Sequence, residues 1–380
     1  MKSSKTNGLG RLLSFVLIVV ILLFTVGFAV GGFQFNGDDL SENGNVDDKN
    51  DNTDENKDGE NKDQENDVKD EDVDNTPPID TTPQIKYYNT ITGLEVSREL
   101  SFEMPIGYVT SPKLPLYGIS FADISIELPT EDGDTRLLSY LTNSSSLWKI
   151  GALAPTRAFI SGLSDFFGGV IISYGNDDVI KYSAWDASKA VVDISKVSDC
   201  YFVENTLYIY SGKDMINTAI DRNTSVTKTE YKAPPFDFTT EGEEYLGTSE
   251  AKTLIIPFSQ NDESEFYYSE ASNSYVYFKS GNRKVDLLNG KNMTYTNLFV
   301  LFSNATTYEK AEGSELIIDT SGGGKGYYVS HGKLTEFRWL TDENGKLVFM
   351  NLSGEKLKVN RGNSYIAYYK ASIASNVKYS

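Results

Sequence analysis

Residues 121–141 read FADISIELPTEDGDTRLLSYL. Over the first eight positions Ala122, Ile124, Ile126 and Leu128 fall on one side of an extended chain, and Phe121, Asp123, Ser125 and Glu127 fall on the other. Asp132-Gly133 is a tight-turn pair, and Thr135–Leu141 returns as a second strand, so the stretch predicts a β-hairpin. Upstream, Pro105 to Val109 predicts a short buried strand. Downstream, Phe159, Ile160, Leu163, Phe166 and Phe167 recur at helical spacing within Thr156–Phe167, Gly168-Gly169 closes that helix, and Val170–Tyr174 predicts another strand. Ser211-Gly-Lys-Asp214 has capping-box spacing and opens a helix through Asp221, with Met215, Ile216, Ala219 and Ile220 inward. Hairpin, helix and strand in this order predict an α/β layered domain over residues 84–232.

Residues 221–247 are polar, carry Pro234-Pro235 and have no sustained period, which places the interdomain connection there. Beyond it, short aromatic and β-branched runs recur, among them Phe266–Tyr268, Tyr275–Lys279, Asn297–Phe302, Glu315–Asp319, Gly326–Val329, Leu334–Trp339, Lys346–Asn351 and Ser364–Tyr369. Gly, Asn and Ser separate them, so residues 233–380 are expected to form an antiparallel β-rich domain. The fold class expected is α+β.

The N-terminal region is of another kind. Lys2, Lys5 and Arg11 precede an uncharged apolar run from Leu12 to Val30. Such a run makes about 28 Å of helix, close to the ~30 Å hydrocarbon core of a bilayer. Residues 1–11 are therefore expected to be a cytoplasmic stub and 12–31 a transmembrane helix, with the globular part extracellular at the cell membrane. A cleaved signal peptide is the rival reading, though its apolar region is usually shorter, about 7 to 15 residues. No cysteine follows the run, so lipidation there is not expected. Residues 36–83 are Asp, Asn, Glu, Lys and Gly with almost no apolar side chain, a composition that stays disordered because burial cannot offset its ordering entropy. Between residues 36 and 75 lie 17 acidic residues and four lysines, so most of the net charge of -19 sits in this tether. No basic stripe remains for a phosphate backbone, and nucleic acid is not an expected partner.

Motifs for chemistry are sparse. Asp54-x-Asn56-x-Asp58-Gly59 with Glu65 has calcium-loop spacing, but Asn61 stands where such loops pack an aliphatic residue and no amphipathic helix flanks it. One histidine, His331, lies in the turn Ser330-His331-Gly332-Lys333, and one cysteine, Cys200, leaves no intramolecular disulfide. With one His and one Cys, a tetrahedral zinc set is a poor prospect, and no cofactor is expected. The run Gly322-Gly-Gly-Lys325-Gly326 lacks phosphate-loop spacing and precedes a strand. Asp123 and Glu127, four apart on one strand, lie about 13 Å apart, beyond the 5 to 9.5 Å of paired glycosidase carboxylates. One cluster emerges: Asp123 and Glu127 from the first hairpin strand, Arg136 from the second and Arg157 at the helix start. It is read either as an ion-pair network or as an anion or sugar site.

Pro115-x-x-Gly118-Ile119-Ser120-x-Ala122-Asp123-Ile124, Glu127, Glu131-x-Gly133-x-Thr135-Arg136 and Lys149-Ile150-Gly151 together resemble the YerB family of bacterial lipoproteins. Thr92-Gly93-Leu94, Pro105-Ile106, Asn297-Leu-Phe-Val300, Gly324-Lys-Gly-Tyr-Tyr328, Gly332-Lys333 and Asn351-Leu-Ser-Gly354 extend the resemblance over nearly everything after residue 84. It implies an envelope location and a two-part extracytoplasmic region without a settled activity. The chain departs from the family pattern at Met104 and Ser173, near Asn205, and in Ala154-Pro155-Thr156-Arg157, where only the last Arg is kept. Arg and His residues of the pattern are lost while carboxylates and glycines persist. The expectation is a membrane-anchored envelope protein that binds or scaffolds, its partner a cell-wall polymer or another envelope protein. The alternative is an enzyme acting on wall polymer through the N-terminal carboxylates. Lys-, Asn- and Tyr-rich usage suggests a low-GC Gram-positive source.

Overall fold

The 121–141 hairpin forms as two strands, Ile124–Pro129 and Thr135–Leu141, paired in the register Glu127↔Leu137 and Leu128↔Arg136. The computed structural model that shows this describes residues 85–102, 104–144, 146–175, 190–205, 208–223, 236–310, 313–343 and 346–380. The expected stub 1–11, spanning helix 12–31, tether 36–83 with its calcium-like loop, and the boundary between 232 and 233 lie outside the described residues. Among those residues no helix is long and apolar enough to cross a membrane.

The principal strands of the two largest sheets and of one hairpin are β1 (Ile106–Thr110), β2 (Ile124–Pro129), β3 (Thr135–Leu141), β4 (Val170–Ser173), β5 (Val191–Asp193), β6 (Thr253–Ser259), β7 (Asp262–Ser269), β8 (Ser274–Lys279), β9 (Asn297–Ser303), β10 (Ala305–Lys310), β11 (Gly313–Ile318), β12 (Gly323–Ser330), β13 (Lys333–Thr341), β14 (Leu347–Met350) and β15 (Ser364–Lys370). An 11-stranded sheet runs β13-β12-β9-β15-β2-β3-β1-β4-β5, with β14 and the two-residue strand Ser249–Glu250 pairing β13. Both halves of the sequence contribute to it, and β15, near the C-terminus, lies parallel to both β9 and β2 at the junction. The described residues form one compact unit.

A second, six-stranded sheet is built on the meander β6-β7-β8. Strand β6 alternates half-buried and buried, as expected where one sheet face meets a core. Leu254, Ile256, Phe266, Tyr275 and Tyr277 from this sheet pack with Leu137, Leu298, Val300, Tyr365 and Ala367 from the large one. On the other face of the large sheet Ile124, Ile126, Leu128, Leu138 and Tyr140 pack with Phe159, Ile160, Leu163 and Phe167, and with Leu316 and Ile318 of the β10-β11 hairpin. All six residues of β2 are thus buried.

The antiparallel β-rich character expected of the C-terminal half is present, and β-structure dominates the rest of the described chain too, where β1-β4 and β4-β5 pair parallel. The α/β layered N-terminal half is not supported. The helix expected over Thr156–Phe167 is two single turns, α1 (Ala158–Ser161) and α2 (Ser164–Phe167). Gly162 lies between them, and a glycine in mid-helix costs about 1 kcal/mol relative to alanine. One ten-residue helix, α3 (Lys213–Arg222), does form, but its expected capping box does not. Gly212 is the cap residue and gives no side-chain bond, while Ser211 Oγ donates to the Cys200 carbonyl instead.

Candidate functional site

Glu127 sits at the centre of β2, on the face that meets the second sheet, and is fully buried. Two strands of that sheet bring its partners. Ser264 Oγ on β7 donates to Oε2 at 2.8 Å, and Lys279 Nζ on β8 to Oε1 at 2.5 Å. Tyr277 OH (3.1 Å) and Tyr365 OH (2.6 Å) donate to Oε2, and Thr135 Oγ1 (2.6 Å) to Oε1. Burial would push this carboxyl up, but the Lys279 ammonium and the hydroxyl donors hold it below the usual glutamate range.

Lys279 also pairs with the buried Asp262, which reaches Lys113 at 3.3 Å, and Lys113 pairs with Asp134 at the half-exposed hairpin tip. A line of alternating charge therefore runs from the middle of the protein to its surface. Asp262 is pushed up by burial and by Glu127 nearby, against the pull of Lys279. Lys284 Nζ donates to the Leu114 carbonyl at 3.0 Å, and its ammonium is pushed down to about 8 by burial and by the charge of Lys279.

The four residues expected to cluster are not brought together. Asp123, just before β2, accepts from Thr142 N at 2.7 Å, Thr142 Oγ1 at 2.8 Å and Asn89 Nδ2 at 3.0 Å, and burial pushes its carboxyl up. Arg136 lies opposite Leu128, on the helix side of the sheet, whereas Glu127 lies on the other side. Arg157 is buried on that helix side and clamps Glu131, Nε donating at 3.1 Å to each oxygen and Nη2 to Oε1 at 2.5 Å. Arg136 gives Nη1 to the Thr135 carbonyl at 3.1 Å, but its buried Nε has no partner. Burial and the neighbouring Arg157 lower its affinity for the proton. Arg136 and Arg157 thus share the hairpin tip with Glu131, Asp132 and Asp134.

Lys279, Asp262, Ser264, Tyr277 and Tyr365 were not singled out from sequence, yet a signal exists. Tyr275, Tyr277 and Lys279 are in phase on β8, and Asp262, Ser264 and Phe266 on β7. Charges in phase with an inward aromatic row mark a buried polar pair.

Two motifs of the N-terminal half now have a physical account. The turn Gly118-Ile119-Ser120 is held by the buried Asp286, whose oxygens accept from Gly118 N at 2.9 Å and Ser120 N at 2.8 Å. Gly118 has φ 77, a left-handed conformation that glycine adopts without strain. Lys149 places Nζ 3.9 Å from the Tyr117 ring and 4.1 Å from the Tyr210 ring, with Glu204 as its ion partner, so its charge is enclosed by two aromatic faces and a carboxylate. His331 has φ 52, a left-handed conformation of the kind found at tight turns. Among the described residues no group of three or more His, Cys, Asp or Glu is placed to hold a metal ion.

Residues 254–366 match the family described as protein of unknown function (DUF3048), C-terminal domain. No curated protein matches the sequence. Among solved structures, the crystal structure of the YerB protein from Bacillus subtilis matches with a TM-score of 0.66 and 21% identity, over 78% of this chain and 100% of that one. At that identity the structural likeness is one of fold.

Proposed function

We propose, from the premise that the chain is a YerB-like, divergent family member, that it is a membrane-anchored extracytoplasmic protein that works by binding or scaffolding in the cell envelope. The observation that carries the reading is the state of Glu127. A general acid or base must reach the atom it serves. Glu127 is fully buried, neutralised by Lys279 and saturated by four hydroxyls. Asp123 is committed to Thr142 and Asn89. Both carboxylates on which the enzyme reading rests are therefore engaged in holding the fold.

Of the four residues expected at a binding site, Arg136 is the one whose guanidinium no carboxylate occupies, and we place the ligand-facing role at the hairpin tip around it. Crosslinking in living cells, with identification of the captured partner, tests the reading. Capture is expected with the wild type and reduced in Arg136→Ala. Turnover of purified wall fragments that Glu127→Gln abolishes in a variant of unchanged stability would replace binding by catalysis. The anchor has its own test: protease added to intact spheroplasts should degrade the globular part, and survival of that part until lysis would reverse the orientation.

A further inference from the structure

We infer that strand β10, Ala305–Lys310, is a self-association edge that pairs antiparallel with β10 of a second copy of this chain. The inference goes beyond the binding reading and does not depend on it.

The first ground is how differently this edge is treated from the others. The large sheet ends in β5 with three residues and, beyond β13, in β14 with four residues and Ser249–Glu250 with two. The second sheet ends in the two-residue strands Asn282–Arg283 and Lys378–Tyr379. Such short margins offer little template for another strand, which is the usual protection. Strand β10 has six residues, pairs among the described residues with β11 alone, contains no proline, and is exposed at every position from 305 to 309. Among the described residues no unpaired edge is longer, and the one of equal length, on its partner β11, carries the buried Glu315, Leu316 and Ile318.

The second ground is which main-chain groups face outward. The register is Ala305↔Ile318 through Lys310↔Gly313, and Asp319 N donates to the Asn304 carbonyl at 2.9 Å. In an antiparallel pair, residues that exchange bonds alternate with residues that do not. Asn304, Thr306, Tyr308 and Lys310 therefore point their amides at β11, and Ala305, Thr307 and Glu309 point both N–H and C=O away from it. Donor–acceptor pairs repeating every second residue along an extended chain are matched by another β-strand and by no small molecule.

The third ground selects the occupant. A two-fold axis through Thr307 sets Thr307 opposite its own copy and Glu309 opposite Ala305, so no like charges face each other. On the face turned away from Leu316 and Ile318, where Thr306 pairs Ile317 and Tyr308 pairs the buried Glu315, Tyr308 is 60% and Ile317 40% exposed. The same axis lays Tyr308 of each copy beside Thr306 of the other, in the row that holds Ile317. Aromatic and β-branched cross-strand neighbours are among the favourable ones.

The test uses the full-length chain purified in mild detergent. Scattering and sedimentation at micromolar to submillimolar concentration should give twice the monomer mass. Thr307→Pro removes an N–H that the hairpin does not use, so dimerisation should be lost while the melting temperature stays unchanged. Thr307→Cys should form an intermolecular disulfide on mild oxidation. The pairing brings the two Cα atoms to about 5.5 Å, a distance a disulfide spans, and Cys200, the one native cysteine, is buried. A monomeric wild type overturns the inference, as does a dimer that persists in Thr307→Pro. If Thr307→Pro does not fold, a folded Thr307→Cys that fails to crosslink overturns it instead. A monomeric wild type whose partner capture in cells is lost in Thr307→Pro would assign the edge to a strand of another protein.

Discussion

Lys279 holds together the polar centre, because it is the cation between two buried carboxylates, Glu127 and Asp262. Replacing it with Met leaves Glu127 without a counter-charge and Asp262 with Lys113 alone, a loss on the order of 3–5 kcal/mol. In urea at neutral pH the unfolding midpoint of Lys279→Met should fall accordingly, and a change under about 1 kcal/mol would show that water reaches the site. The pH dependence has a definite sign on each side. Glu127 lies below its ordinary value of 4.5 when folded, so its contribution is present above that pH and is lost as pH falls through the folded value. Lys284 is pushed from 10.5 to about 8. Between those values the unfolded chain still holds a proton that the folded chain has released, so stability rises with pH across the window. The rise amounts to about 2–3 kcal/mol. Lys284→Met should abolish it, and parallel stability curves for wild type and variant from pH 8 to 10.5 would contradict the depressed value.

At the scale of elements, the hairpin of β2 and β3 was legible in sequence, and Thr135–Leu141 matches its strand residue for residue. What alternation could not supply was the register and the second cover. A shift of one residue in pairing moves every side chain to the other face. The observed register puts Arg136 with Leu128 and on the opposite face from Glu127. Charged residues on a strand are normally solvated, and nothing local to residues 121–141 announces that β7 and β8 lie over Glu127. Helix Thr156–Phe167 failed for a different reason: its apolar spacing was right, but Gly162 splits it into two turns that still bury the same residues. The hairpin tip was half legible, since Arg157 does fix the helix turn to the hairpin, through Glu131 and not through Asp123 or Glu127. Arg157→Ala removes a forked, charge-assisted contact worth about 1.5–3 kcal/mol. The unfolding midpoint should drop while partner capture by the folded protein persists. Capture lost at unchanged stability would instead make Arg157 a ligand contact.

For the whole molecule, the decisive feature is that residues distant in sequence complete one sheet. Strand β15 pairs β9 over seven residues, Asn297–Ser303 with Ser364–Lys370, and β2 over four, Ile124–Glu127 with Ser364–Ala367. It also sends Tyr365 OH to Glu127, so one strand supplies ladder bonds to both halves of the sequence and a hydrogen bond to the buried charge. Periodicity sees each strand but not its neighbour, which is why two successive domains were the natural expectation for a sequence whose character changes near residue 233. The sheet gives that expectation a sharp test. If residues 84–232 and 233–380 fold separately, calorimetry of the full chain should resolve two transitions and each fragment should fold alone. Unfolding through the shared sheet predicts otherwise: one cooperative transition, with residues 84–232 alone unable to reach the native state because β2 then exposes an edge of six buried residues. Ending the chain at Asn363 removes β15 and should unfold the N-terminal half as completely as the C-terminal one. Native protection of the Ile124 and Ile126 amides, which bond to β3, would break the argument in that truncated chain, because it would show the N-terminal hairpin still folded without β15.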